Sequence, residues 1–129
     1  MNVGIVIVTH GRTGESLLEE AGFVLGEIPE GILAVSFNSS EDLKSSLLQI
    51  RSSIDRSDSG AGVLVLTDLM GASPSNQVAG LLEGYHGVMV TGVNLSMLIC
   101  ACNYRGKSLE LVVQKTVACG KRSVKIFQP

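Results

Sequence analysis

Four continuous apolar runs, rich in β-branched residues, constrain this chain more than any other feature: VGIVIV (3–8), ILAVSF (32–37), GVLVLT (62–67) and GVMVTG (87–92). A strand with one wet face alternates apolar and polar residues, whereas a strand apolar at every position is covered on both faces. Between the runs lie stretches of helical periodicity. Leu17, Leu18, Ala21, Val24 and Leu25 recur at helical spacing, and so do Leu43, Leu47, Ile50 and Ile54. The second helix is expected to open at Ser39-Ser40-Glu41-Asp42, and the third at Ser73-Pro74, a cap followed by proline at the first helical position. A fourth is predicted from about Asn94, with that residue as its cap. A fifth is predicted over Ser108 to Cys119, with Leu109, Val112, Val113, Thr116 and Val117 on one face and Gly120 as its stop. The segment SVKIFQ (123–128) reads as a last strand.

Repeated strand–helix alternation predicts an α/β fold: a single doubly wound domain over residues 1–129, its mostly parallel sheet covered by helices on both faces. The chain is long enough to bury a core without disulfide staples, and no linker or repeat divides it. The expected strand order is 2-1-3-4, with the sheet reversing direction between strands 1 and 3. Ligands in such sheets bind at the carboxyl ends of those two strands.

Composition narrows the function. Apolar residues make up 45% of the 129 residues, charged residues 17%, and the net charge is −2. No basic tract is present to bind nucleic acid by counterion release. Lys121-Arg122, with Lys125 nearby, is read as a solvated strand edge. The run 3–8 is too short for a signal peptide and has no basic segment before it. No stretch approaches the ~18 apolar residues of a membrane span. An odd set of three cysteines, Cys100, Cys102 and Cys119, without a C-x-x-C, fits buried thiols in a reducing cytoplasm.

The two strand ends carry chemistry. Strand 1 runs into Thr9-His10-Gly11-Arg12, and strand 3 into Thr67-Asp68-Leu69-Met70-Gly71-Ala72-Ser73. If these strands are neighbours, His10 and Asp68 face each other across the switch point. A neutral imidazole has one nitrogen free to attack and one N–H to donate. A carboxylate accepting that N–H fixes the tautomer and stabilises the cation that forms on attack. The turn after strand 3 leads into a helix N-terminus, where free N–H groups favour an anion. That turn, to which Ser73 adds a hydroxyl, is therefore a candidate seat for a phosphoryl group, with Thr9 and Arg12 near it. Thr9 is read either as orienting the His10 loop or as an ordinary strand residue, and Arg12 either as a phosphate partner or as solvated. Leu69 and Met70 are candidates for an apolar docking rim. His86, before strand 4, lies at the opposite edge of the sheet and is expected to be inert.

No G-x-x-x-x-G-K-[ST] loop and no paired carboxylates for Mg²⁺ accompany the site. Transfer between histidines calls for no cofactor and no metal, only positioning and hydrogen-bond donors. A flavin or nucleotide binder of the same fold stays open on the residues alone. It needs a phosphate-cradling loop after strand 1, which THGRTGES (9–16) meets only in part.

At these residues the chain resembles the mannose-type IIA domains of the bacterial phosphoenolpyruvate-dependent sugar phosphotransferase system. GIVIVTHG (4–11) with GESLLEEAGFVLG (14–26), VLVLTDLMGASPSN (63–76) and GVNLSMLI (92–99) resemble that family's three motifs, in order. The resemblance implies that His10 is phosphorylated, on Nε2, and that Asp68 holds its other nitrogen. It implies that Ser73 and the N–H groups around Gly71 to Ser73 seat the phosphoryl group. It implies phospho-HPr as donor, a IIB component as acceptor, and a link to the membrane only through other subunits. It also implies a homodimer that exchanges a final strand, for which SVKIFQP (123–129) is the candidate. Two departures stand out. The family's turn carries a Gly pair, and here it reads Gly71-Ala72, so a methyl stands close to the seat. The chain is expected to stand without a fused IIB domain, which gives weight to an alternative: a regulatory protein whose His10 phosphorylation is read by a partner. A third reading is the related subunit that feeds dihydroxyacetone kinase.

Overall fold

The structure is a computed structural model that describes residues 1–37, 42–69 and 73–129. The four apolar runs form β1 (Gly4–His10), β2 (Ile32–Phe37), β3 (Val63–Thr67) and β4 (Gly87–Val90). They build one parallel sheet in the order β2-β1-β3-β4. β1 is central. His10 lies opposite Phe37 on one side, and Val8 opposite Thr67 on the other.

Alternation along the strands splits the core in two. Val3, Ile5, Ile7, Leu64 and Leu66 face one layer of helices: α1 (Thr13–Leu25), α4 (Leu95–Tyr104) and α5 (Leu109–Ser123). Val6, Val8, Val63 and Val65 face the other: α2 (Leu43–Ser57) and α3 (Ser73–Leu81). Both faces of β1 and β3 are sealed, which is why these strands stay apolar at every position. Each fully buried Val, Leu or Ile side chain contributes about 1.5–3 kcal/mol by leaving water.

The helices start where side chains satisfy their free N–H groups. Asp42 accepts from Lys44 N, Asn94 from Met97 N and Ser108 from Leu111 N. The expected Ser39–Glu41 part of the second cap lies outside the described residues. Within α1 the buried side is Gly14, Ala21 and Gly22, and Val24, expected on the core stripe, is 61% exposed beside Phe23 at 83%.

Two expectations at the C-terminal end are corrected. Gly120 does not stop α5, which continues to Ser123. It lies buried against α4, where a Cβ would come within 2.6 Å of Met97 Cγ. The glycine is there for close helix packing, and Lys121 and Arg122 fall in the helix's last turn, where positive charge complements the helix dipole. The segment after it is not a strand in the single chain. Residues 124–129 carry no regular structure, and Val124, Ile126 and Phe127 are exposed at 81%, 91% and 88%. A strand needs a partner edge, and this segment pairs with none of the four described strands.

Candidate functional site

The strand order reverses between β1 and β3, so the gap at their carboxyl ends is the expected binding crevice. His10 is the last residue of β1, and Asp68 is the first after β3. His10 Nδ1 lies 2.8 Å from Asp68 Oδ2, and the same oxygen accepts from the His10 backbone N–H at 3.0 Å. Asp68 Oδ1 accepts from Leu69 N at 3.0 Å. Burial acts to raise the Asp68 carboxyl's pKa. The bonds from the His10 backbone, the His10 ring and the Leu69 backbone outweigh it, so the group lies below its usual value.

With Nδ1 donating to Asp68, the tautomer leaves the Nε2 lone pair free. Half the His10 side chain (49%) faces solvent, and among the described residues no protein group bonds Nε2. The ring is thus fixed by a partly buried carboxylate and open at the nitrogen that can attack.

The backbone around this pair is held from three directions. Gly11 turns the chain at φ +50°, a left-handed conformation that favours glycine, and its N–H reaches Phe37 O on β2. Thr9 stands apart from the ring, although its position suggested the phosphoryl-binding set. Neighbours on a strand point to opposite faces, so while His10 faces out Thr9 is fully buried, and its hydroxyl accepts from Gly14 N at 2.7 Å. It thereby caps α1, whose own cap position, Arg12, supplies no side-chain bond. A Cβ on Gly14 would come within 2.9 Å of the Thr9 hydroxyl and 3.0 Å of Ile7 Cγ2. The loop from β4 to α4 secures the other half. Gly92 N donates to Asp68 O at 3.0 Å, and Val93 N to Thr67 O at 2.9 Å. The segment 92–99 thus earns its place in the site by holding the Asp68 main chain.

Arg12 is 74% exposed and pairs with Glu15 at 2.9 Å, while Glu15 accepts from Ser36 Oγ at 2.9 Å. Sequence reasoning missed this Arg12–Glu15–Ser36 chain, although the i, i+3 spacing of Arg12 and Glu15 on a helix signals the first link. Leu69 is 60% exposed at the rim. Gly71, Ala72, Met70 and the side chain of Ser73 lie outside the described residues. The main chain of α3 begins at Ser73, five positions beyond Asp68. His86 lies at the amino edge of the sheet, its carbonyl accepting from Val63 N. Among the described residues no helix is long and apolar enough to cross a membrane, and no group of three or more His, Cys, Asp or Glu is placed to hold a metal ion.

Fold and site together define a class: a small doubly wound α/β domain presenting one histidine, backed by one carboxylate, at its switch point. The model of the EIIA-man family, described as the PTS system fructose IIA component, matches residues 4–116. The chain belongs to this family and is a mannose-type IIA component of the phosphotransferase system. The PTS system mannose-specific EIIAB component of Escherichia coli (strain K12) is 31% identical over 131 residues, covering 99% of this chain and 40% of that protein. The chain therefore spans about 40% of the length of the curated relatives it matches. Among solved structures, the mannose/sorbose specific IIA subunit from Enterococcus faecalis matches with a TM-score of 0.87 at 22% identity, covering 100% of this chain and 97% of that one. The PTS IIA protein associated with the fucose utilization operon from Streptococcus pneumoniae matches at 0.86 and 25% identity, covering 98% and 93%.

Proposed function

We propose that this protein carries a phosphoryl group on His10 Nε2, taken from phospho-HPr and passed to a IIB component in phosphoenolpyruvate-dependent sugar uptake. The observation that carries this reading is the His10–Asp68 pair: Nδ1 bound to a carboxylate and Nε2 open at the switch point. In the transfer, Nε2 attacks phosphorus and the P–N bond to the donor's histidine breaks. The donor ring keeps that electron pair. Positive charge developing on the His10 ring is stabilised by Asp68 through Nδ1–H. Delivery to the acceptor runs the same steps in reverse.

Ser73 and the N–H groups of Gly71 and Ala72 are proposed to seat the phosphoryl oxygens. The support is the start of α3 at Ser73, where the positive end of the helix dipole favours an anion. Arg12 is proposed to leave Glu15 for the phosphoryl group or for an acidic group of a partner, an exchange its exposure permits. Thr9 is proposed to act on the loop that carries His10. The protein is proposed to work in the cytoplasm as a homodimer. In that dimer residues 124–129 of one subunit add a strand to the other's sheet, a reading supported by the exposed apolar side chains of this segment.

Incubation with enzyme I, HPr and labelled phosphoenolpyruvate tests the reading. Acid-labile, alkali-stable label on the wild type and none on His10→Ala is the expected result. No label on the wild type while HPr is fully charged would overturn it.

A further inference from the structure

Away from the switch point, α4 and α5 bring two thiols into contact. Cys119 Sγ lies 2.6 Å from Cys100 Sγ, across a sequence separation of 19 residues, and all three cysteines are free. Cys100 is 5% exposed and its Sγ–H also reaches Lys115 O at 3.3 Å, whereas Cys119 is only partly buried. Both line an open cleft of about 520 Å³ whose wall includes Asn103, Tyr104, Arg122 and Lys125. Arg122 Nη2 stands 3.7 Å from Cys119 Sγ, placing positive charge beside a sulfur that must turn negative before it attacks. Cys102 takes no part in this contact.

We propose that Cys100 and Cys119 are a redox-active dithiol that forms an intramolecular disulfide when the cleft admits a low-molecular-weight disulfide. Cys119, the more accessible thiol, loses its proton to solvent and attacks one sulfur of the incoming disulfide. That S–S bond breaks and one thiolate leaves, giving a mixed disulfide on Cys119. Cys100 then attacks Cys119 Sγ, its proton passing to the second departing thiolate. The sum is two protein thiols and one small disulfide going to one protein disulfide and two small thiols. Burial, with the adjoining Cys119, pushes the Cys100 thiol up to about 12, so it is the poorer first nucleophile. Once Cys119 is capped, the hydrogen bond and charge it imposes on Cys100 are gone, and contact between the sulfurs makes the second step effectively unimolecular. The bridge ties α5 to α4 one turn before residues 124–129 leave the fold.

The test equilibrates the reduced full chain with glutathione and glutathione disulfide over a range of ratios, alkylates it, and reads intact mass and peptide map. The wild type is expected to lose two of its three alkylatable thiols, Cys100 and Cys119 joining in one peptide pair while Cys102 stays alkylated. Cys100→Ser is expected to stop at a stable glutathione adduct on Cys119. Three alkylated cysteines at every ratio would overturn the proposal. So would pairing through Cys102, or a glutathione adduct that persists on Cys119 of the wild type. The wild-type readings decide the matter even if a variant fails to fold.

Discussion

Among the described residues two histidine–carboxylate pairs stand one at each end of the sheet, and they differ in almost everything but charge type. At the carboxyl edge His10 and Asp68 meet at 2.8 Å, with Asp68 18% exposed and accepting from the ring and two backbone N–H groups. At the amino edge His86 and Glu110 meet at 3.4 Å with 61% and 76% exposure. Glu110 lies below its usual pKa first through its own backbone N–H and then through His86. Two exposed side chains on water-filled ground gain little from each other, whereas a ring anchored to a partly buried, multiply bonded carboxylate has its tautomer and orientation set in advance. The pairing of residue types does not make a site; the backbone that fixes them does.

Replacing the histidines separates the two ends most widely. His10→Ala is expected to abolish phosphoryl uptake from phospho-HPr, and His86→Ala to leave it unchanged, as read by radiolabel on each variant. The carboxylates come next. Asp68→Asn is expected to slow uptake by roughly 10²–10⁴-fold, the usual scale for losing a group that sets a catalytic imidazole's proton, while Glu110→Gln retains the wild-type rate in rapid-quench assays. Equal losses for the two carboxylate variants would erase the distinction drawn here.

The scaffold under the first pair is expected to respond in stability. Gly14→Ala pushes a methyl against the Thr9 hydroxyl and Ile7, and is expected to cost about 1–3 kcal/mol in urea unfolding. Thr9→Val leaves the Gly14 N–H buried without its acceptor, also at about 1–3 kcal/mol. The side chains of the outer pair are exposed, and substitution of either residue is expected to stay within about 0.5 kcal/mol.

The smallest effect is in acid. Because Asp68 is held below its ordinary value in the folded chain, its contribution to stability is present above about pH 4. It is lost as pH falls further, through the depressed folded pKa. The melting temperature of Asp68→Asn is therefore expected to fall less steeply than the wild type's below about pH 4. A variant curve parallel to the wild type's would show that the hydrogen bonds at Asp68 add nothing to folding.

Much of this was legible beforehand. The runs 3–8, 32–37, 62–67 and 87–92 each gave a strand to within about two residues, since an all-apolar β-branched run has few other homes. The cap at Asn94 was readable because a capping side chain acts on N–H groups only three residues away. The position of His86 at the amino edge of the sheet followed from strand direction alone. That Thr9 is buried and accepts from Gly14 N, while His10 beside it faces out, was not legible, because adjacency in sequence hides the flip of faces along a strand. Gly120 was read as a stop because a glycine near a helix end has two uses, and only the neighbouring helix distinguishes them.

Local periodicity, caps and turn residues act over a few residues, so the sequence by itself determined the elements, their two-sided burial and the strand ends where chemistry could gather. Tertiary structure alone decided that residues 58 apart share one oxygen at 2.8 Å, that the 92–99 segment holds the Asp68 main chain, and that Met97 turns Gly120 from a terminator into a contact. Such distances depend on how whole layers pack, and packing sums many weak contacts that no short stretch of chain contains.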